Sequence, residues 1–292
     1  MSNTSSLGSM LRSHSPVATE SDARLNGIAR LTERARTGAL TWAWPIVMCS
    51  IRLPILLGCF LVSFVIAHAA GQANPEDFAE GLTRFDLPIV ADVICLALLW
   101  RLMRREGARL RDLFCWSRQH LIRDLALGIG LFVVCYLALG AIEAAIAIAT
   151  VSGSAAQQAQ AMQSLLAGAA INPLGMGWQI GASVLFIPIS SSVTEELVYR
   201  GYALPRLTAL TGKPWLAIGL TTLGFAAQHL AYGLTSWQAA LSGMAGVVVA
   251  GLLFGGLYFL TRQRLTALIF LHWQFDVISL GVAPILLAMF IR

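Results

Sequence analysis

Apolar runs about as long as a bilayer is thick recur along this chain, and they constrain its fold more than any other feature. A membrane core takes ~20 apolar residues of helix. Leu53–Ala70, Leu87–Met103, Leu125–Val151, Gly177 into the 190s, Trp215–Ala231, Trp237–Leu260 and Leu265–Ile291 read as successive spans. Gly281 and Pro284 interrupt the last run, which is either one tilted span or a span followed by a short eighth helix. Trp42–Ile51, just ahead of Arg52, would make the first span too long. It reads as an interfacial stretch, with Trp42 and Trp44 at the membrane boundary. The fold expected is therefore all-α, a polytopic transmembrane helical bundle of seven to eight spans.

Composition argues the same way. Of 292 residues, 57% are apolar and 12% charged, against roughly 25% charged in an average soluble domain. Fifteen acids and twenty bases cannot coat a globule of this size with solvated charge. A soluble enzyme, a disordered chain and a disulfide-stapled secreted domain are excluded on that ground. The formal charge of +5 does not point to nucleic acid, because nineteen of the twenty bases are Arg and most lie between apolar runs. That is where the positive-inside rule places them. The five cysteines, Cys49, Cys59, Cys95, Cys115 and Cys135, have no paired spacing and read as small hydrophobes.

The organisation expected has three parts: a polar cytoplasmic tail over residues 1–41, three membrane helices within 42–176, and a membrane core over 177–292. The Arg-rich stretches before Trp42, from Arg101 to Arg123, around Arg206 with Lys213, and at Arg262 with Arg264 read as inside loops. The acidic Gly71–Asp86 segment and the uncharged Ser152–Gly175 segment read as outside, so the amino terminus is inside. Ser242, Gly246 and Ala250, and Gly251 with Gly255, have the small-xxx-small spacing of a close helix contact, assigned to packing within the chain.

Ionisable groups at membrane depth cost about 2.5–3.5 kcal/mol each on insertion scales, and so demand a reason. They gather on three runs in the second half: Thr194-Glu195-Glu196-Leu197-Val198-Tyr199-Arg200-Gly201, then Phe225-Ala226-Ala227-Gln228-His229, then His272-Trp273-Gln274-Phe275-Asp276. Glu196 and Arg200 are four apart, with the acid on the N-terminal side, and would pair on one helix face. Glu195 is turned about 100° away, which leaves it as the acid available for chemistry. His272 and Asp276 are again four apart, so Asp276 can orient or charge the imidazole. Two mechanisms fit this set. Glu195 and a histidine can activate water, with donors from the remaining helix holding the oxyanion. Alternatively Glu195, His229 and His272 can ligate Zn²⁺ with a water in the fourth position, although no HExxH is present.

The three motifs in this order, Glu195-Glu196-xxx-Arg200-Gly201 with Tyr199, Phe225-xxx-His229 and His272-xxx-Asp276, resemble those of the CPBP (Abi) family of intramembrane endopeptidases. That family includes the type II CAAX prenyl endopeptidases and bacteriocin-processing or immunity proteins. Leu204 and Gly256-Leu257-Tyr258-xx-Thr261 add to the likeness, which covers about Gly177 to Asp276. The resemblance implies hydrolysis of a peptide bond in a membrane-associated or lipidated protein or peptide. Carried over, Glu195 and His229 activate the water, His272 and position 276 hold the oxyanion, Glu196 and Arg200 give structural support, and no cofactor is needed. Asp276 departs from the Asn of the eukaryotic-type pattern, and an ionised Asp cannot donate to an oxyanion. The location implied is integral to the membrane, in a bacterial inner membrane, with the bilayer and a membrane-associated substrate as partners. A catalytically idle membrane-binding or immunity protein and a proton-coupled transporter are the alternatives.

Other polar residues take plainer readings. Glu143 reads as a helix-packing contact, Asp92 and His68 as interface residues, and Cys115 as interfacial packing. Ser190, Ser191 and Ser192 read as bonding within their own helix.

Overall fold

The computed structural model describes residues 20–114, 118–150, 186–235 and 237–278, and among these every regular element is helical. In order they are α1 (Glu20–Arg36), α2 (Ala43–Ser50), α3 (Arg52–Ala69), α4 (Pro75–Phe85), α5 (Pro88–Arg105), α6 (Arg111–Phe114) and α7 (Arg118–Thr150). Then come α8 (Ile187–Glu195), a π-helix (Glu196–Ala203), α9 (Leu204–Thr211), α10 (Pro214–Gln228), a 3₁₀ turn (His229–Tyr232), α11 (Trp237–Leu260) and α12 (Leu265–Asp276). Expectations for the tail up to residue 19, Cys115, the Ser152–Gly175 loop, the fourth run's start at Gly177, and Gly281 with Pro284 lie outside the described residues. So do the side chains of Glu143 and Ser242.

Local chemistry sets the helix ends. Pro75, Pro88 and Pro214 each sit in a first turn, where the missing N–H is no loss. Gly212, at φ 65°, closes α9 in the left-handed cap that glycine tolerates best. Among the described residues two stretches are long and apolar enough to cross a membrane: Ala43–Ala69, 27 residues of mean hydropathy 2.2, and His120–Ala138, 19 residues of mean hydropathy 2.0.

The distribution of polarity is inverted relative to a protein in water. Leu61, Val62 and Ile66 on α3, Val93 on α5, and Val134 and Leu137 on α7 turn outward and are at least 60% exposed. Inside are Arg52, Asp92, Glu195, Glu196, Arg200, Gln228 and His272. Water would draw the charges out and the aliphatic faces in. A hydrocarbon surround gives the reverse, and this is the pattern observed.

Three expectations change. Trp42–Ile51 is not a separate interfacial stretch: α2 and α3 form one near-continuous apolar rod, and α2 buries Pro45, Met48 and Cys49 against the π-helix and α10. The contact is close enough that a Cβ on Gly224 would run into the Cys49 carbonyl oxygen. The acidic Gly71–Asp86 segment is not a bare loop, because it contains α4, which lies along α3 and the 3₁₀ turn. Arg206 is not a loop cation. It is buried in α9, pairs with Glu106, and stacks 3.8 Å over the Tyr202 ring, while Arg34 of α1 reaches the same carboxylate at 3.3 Å.

The helix carrying Glu195 runs on past Arg200 as far as Thr211. The Gly251 and Gly255 face packs internally, against Thr222 and Ile218 of α10, each approach leaving 2.8 Å for an added Cβ.

Candidate active site

The site forms where α3, α5, the α8–π–α9 rod, α10 and α12 meet. A π-helical turn is rare and concentrates at functional positions. Here all eight residues from Glu196 to Ala203 are buried, so this segment is the centre of the bundle. Tyr199, Phe225 and Phe254 ring the Arg200 guanidinium at 5.9, 4.6 and 5.4 Å.

Glu196 is fully buried, and its Oε1 accepts two donors: Arg200 Nη1 at 2.8 Å and His272 Nδ1–H at 2.9 Å. The pairing of Glu196 with Arg200 is as the spacing implied. The bond to His272 was not legible, and it changes the role open to Asp276. With Nδ1 held by Glu196, the imidazole presents Nε2 to Glu195 Oε2 at 3.5 Å and to Asp276 Oδ1 at 3.6 Å. The ring is oriented from the Glu196 side; Asp276 lies across from its other nitrogen, with 19% of its side chain exposed.

Glu195 is not the unencumbered acid that its position on the helix suggested. Its Oε1 lies 3.1 Å from Arg52 Nη2 and accepts a hydrogen bond from Gln228 Nε2 at 3.0 Å. The Tyr199 hydroxyl donates to Gln228 Oε1 at 3.1 Å, which fixes the amide so that its NH₂ faces the acid. Arg52 also pairs with Asp92, and the Asp92 Oδ2 accepts from Ser190 Oγ at 2.6 Å and Ser191 Oγ at 3.3 Å. Asp92 is therefore a buried ion-pair partner, not an interface residue. Of the three serines only Ser192 bonds within its own helix, to Ile189 O at 3.3 Å. Arg52, Asp92 and Gln228 are the site residues that sequence reasoning passed over. The available signal was an arginine inside an apolar run.

His229 stands at the end of α10, where the 3₁₀ turn begins, and its Nδ1–H donates to the Phe225 carbonyl at 2.9 Å. Nε2 is then the bare, basic nitrogen. The Phe225 ring separates the two imidazoles, with its centroid 5.2 Å from His229 and 5.8 Å from His272. Among the described residues no three His, Cys, Asp or Glu side chains gather closely enough to hold a metal ion. Glu195 Oε1 is already engaged by Arg52 and Gln228.

Residues 177–278 match the family model described as type II CAAX prenyl endopeptidase Rce1-like. Over these residues, about a third of the chain, it is similar to the type II CAAX prenyl endopeptidases. The matched stretch holds all three motifs, from Glu195 through His229 to Asp276. Members of this family are integral membrane proteins, which agrees with the inverted polarity of the bundle. No curated protein and no solved structure matches the chain. Arg52 and Asp92 lie outside the matched residues.

Proposed function

We propose that the chain is a CAAX-protease-type intramembrane endopeptidase that hydrolyses a peptide bond of a membrane-associated or lipidated protein. One observation carries the reading. Glu195 is buried with one oxygen tied by two donors and the other turned toward His272, where helices bearing all three family motifs converge. In the mechanism proposed, Glu195 Oε2 and His229 Nε2 take a proton from water as its oxygen attacks the scissile carbonyl carbon. His272, doubly protonated and donating through Nε2–H, and Asp276 in its protonated form stabilise the oxyanion. The tetrahedral intermediate then collapses with cleavage of the C–N bond, and the stored proton passes to the leaving amine.

No metal takes part in this scheme, and Glu196 with Arg200 braces the π-helix. The membrane setting proposed is a bacterial inner membrane crossed seven to eight times, with the amino terminus inside. The test is purified protein in liposomes, presented with a library of membrane peptides including CAAX-ended ones with and without a prenyl group. Cleavage by the wild type and none by Glu195→Gln is expected. Equal cleavage by both, or none by either, would refute the proposal.

A further inference from the structure

Two carboxylates share one guanidinium on the amino-terminal side of the site. Arg52 begins α3 and is 2% exposed. Its Nη1 pairs with Asp92 of α5, and its Nη2 lies 3.1 Å from Glu195 Oε1 and donates to Ser191 Oγ at 3.4 Å. Asp92 in turn accepts from Ser190 and Ser191, which sit just over one turn before Glu195 on its own helix. The circuit therefore leaves α8 at Ser190 and Ser191, crosses to α5, passes to α3, and returns to α8 at Glu195. Three helices are fixed against one another through a single planar fork. A flexible ammonium cannot reproduce that geometry, because it is a point charge without two parallel faces of donors.

We infer that Arg52 is a positioning residue for Glu195, and that the membrane core matched by the family is an incomplete site without the amino-terminal half. This deepens the protease reading and rests on it. By holding Oε1, Arg52 and Gln228 fix the carboxylate plane and leave Oε2 as the oxygen turned toward His272. Arg52 does not touch the reacting atoms. It acts through Glu195, while Asp92 and the serines hold Arg52 in turn. The charges suit that division: Asp92 keeps the guanidinium from being drawn wholly toward Glu195, and Ser190 and Ser191 satisfy the remaining Asp92 oxygen.

Misplacing a catalytic group by about 1 Å costs about 10²-fold in rate, so the loss should fall on kcat. Arg52→Met should lower kcat about 10²-fold with KM changed less than about twofold, and Arg52→Lys should recover part of the rate. Since Arg52→Met alone strands Asp92 as well as Glu195, the folding control is Arg52→Met with Asp92→Asn, which removes the Arg52–Asp92 pair and leaves Glu195 held by Gln228. That double variant should melt near the wild type and still be slow. A well-folded double variant with wild-type kcat would overturn the inference.

A second measurement does not depend on cleavage. Thermal unfolding in detergent of Arg52→Met, Glu195→Gln and the combined variant should give melting shifts that fail to add, because the two side chains touch. Additive shifts would overturn the inference as well. If the wild type cleaves nothing, the protease reading fails, and the thermal cycle still decides whether Arg52 holds Glu195.

Discussion

Replacing Glu196 by Gln separates bracing from chemistry. Glu196 Oε1 is shared by Arg200 Nη1 at 2.8 Å and His272 Nδ1 at 2.9 Å, and Arg200 is 1% exposed. Removing one partner of a buried ion pair typically costs about 3–5 kcal/mol. Two features reduce that here. The Gln amide keeps an acceptor oxygen in place, and the guanidinium retains three aromatic faces between 4.6 and 5.9 Å away, each worth about 0.5–2 kcal/mol according to its desolvation.

A net loss of about 2–4 kcal/mol is expected, which lowers the melting temperature on the order of 5–10 °C for a chain of this size. Glu195→Gln should cost clearly less, because its Arg52 keeps Asp92 as a partner and the amide oxygen can still accept from Gln228. The assay is thermal unfolding in detergent beside cleavage in liposomes. Both variants should be inactive, with only Glu196→Gln strongly destabilised. The pair Glu196→Met with Arg200→Met, which replaces the ion pair by apolar chains of similar length, should regain most of the stability and none of the activity, since His272 still lacks its Nδ1 anchor. A larger stability loss in Glu195→Gln than in Glu196→Gln would refute the assignment of bracing to Glu196.

Because Glu196 already orients His272, Asp276 is left to act as a donor across from Nε2; Asp276→Asn should keep at least a tenth of the activity, while Asp276→Ala loses about 10²–10³-fold, and equal losses in the two variants would reject the donor role. Exhaustive chelation should leave cleavage unchanged, whereas zinc that returns with activity in stoichiometric amount would reject the metal-free scheme. Glu106, outside the spans, supplies a pH signature. Burial alone would raise its carboxyl, but the Arg206 hydrogen bond and charge, helped by Arg34 and Tyr202, outweigh it and hold the group below its ordinary value of 4.5. A depressed carboxyl stabilises the fold above the unfolded value and loses that contribution as pH falls through the folded one, so Glu106→Gln should lower the melting temperature at neutral pH and matter progressively less below about pH 4. A deficit that grows on acidification would contradict the pairing.

What was legible in the sequence was local. Glu196 with Arg200 and His272 with Asp276 are each four residues apart, so helical geometry alone brings them near one another, and the order of the motifs marks three helices that must converge. The boundaries of α5, α10 and α11 follow from apolar runs opened by proline or tryptophan. Contacts between distant helices were not legible. Arg52 and Asp92 are separated by 40 positions, and Gln228 and Glu195 by 33. Arg52 read as a break between an interfacial stretch and a span because charge ordinarily marks a span's end. The stronger argument, that a charge at membrane depth needs a partner, pointed to a buried pair without naming it. The π register over Glu196–Ala203 left no compositional trace, because tertiary packing sets it. Arg206 reads as a loop cation for a similar reason: nothing local shows that Glu106, a hundred positions away, lies beside it.

The charges of the site divide into two chains that meet at one point. On one side Ser190 and Ser191, Asp92 and Arg52 lead to Glu195; on the other Arg200 and Glu196 lead to His272. They approach each other through Glu195 Oε2 and His272 Nε2, 3.5 Å apart. Three carboxylates thus face two guanidiniums, and the position of the excess one decides which acid can do chemistry. Asp92 is enclosed by Arg52 and two hydroxyls. Glu196 is fully buried, and its second oxygen is shut away without a hydrogen-bond partner. Only Glu195 has an oxygen directed toward the side of the site where Asp276 is partly exposed and His229 is half-buried. In the mechanism proposed, the division of labour between two adjacent glutamates follows from which arginine each one faces: Arg200 seals Glu196 within its own helix, while Arg52, arriving from another helix, holds one Glu195 oxygen and leaves the other turned toward His272.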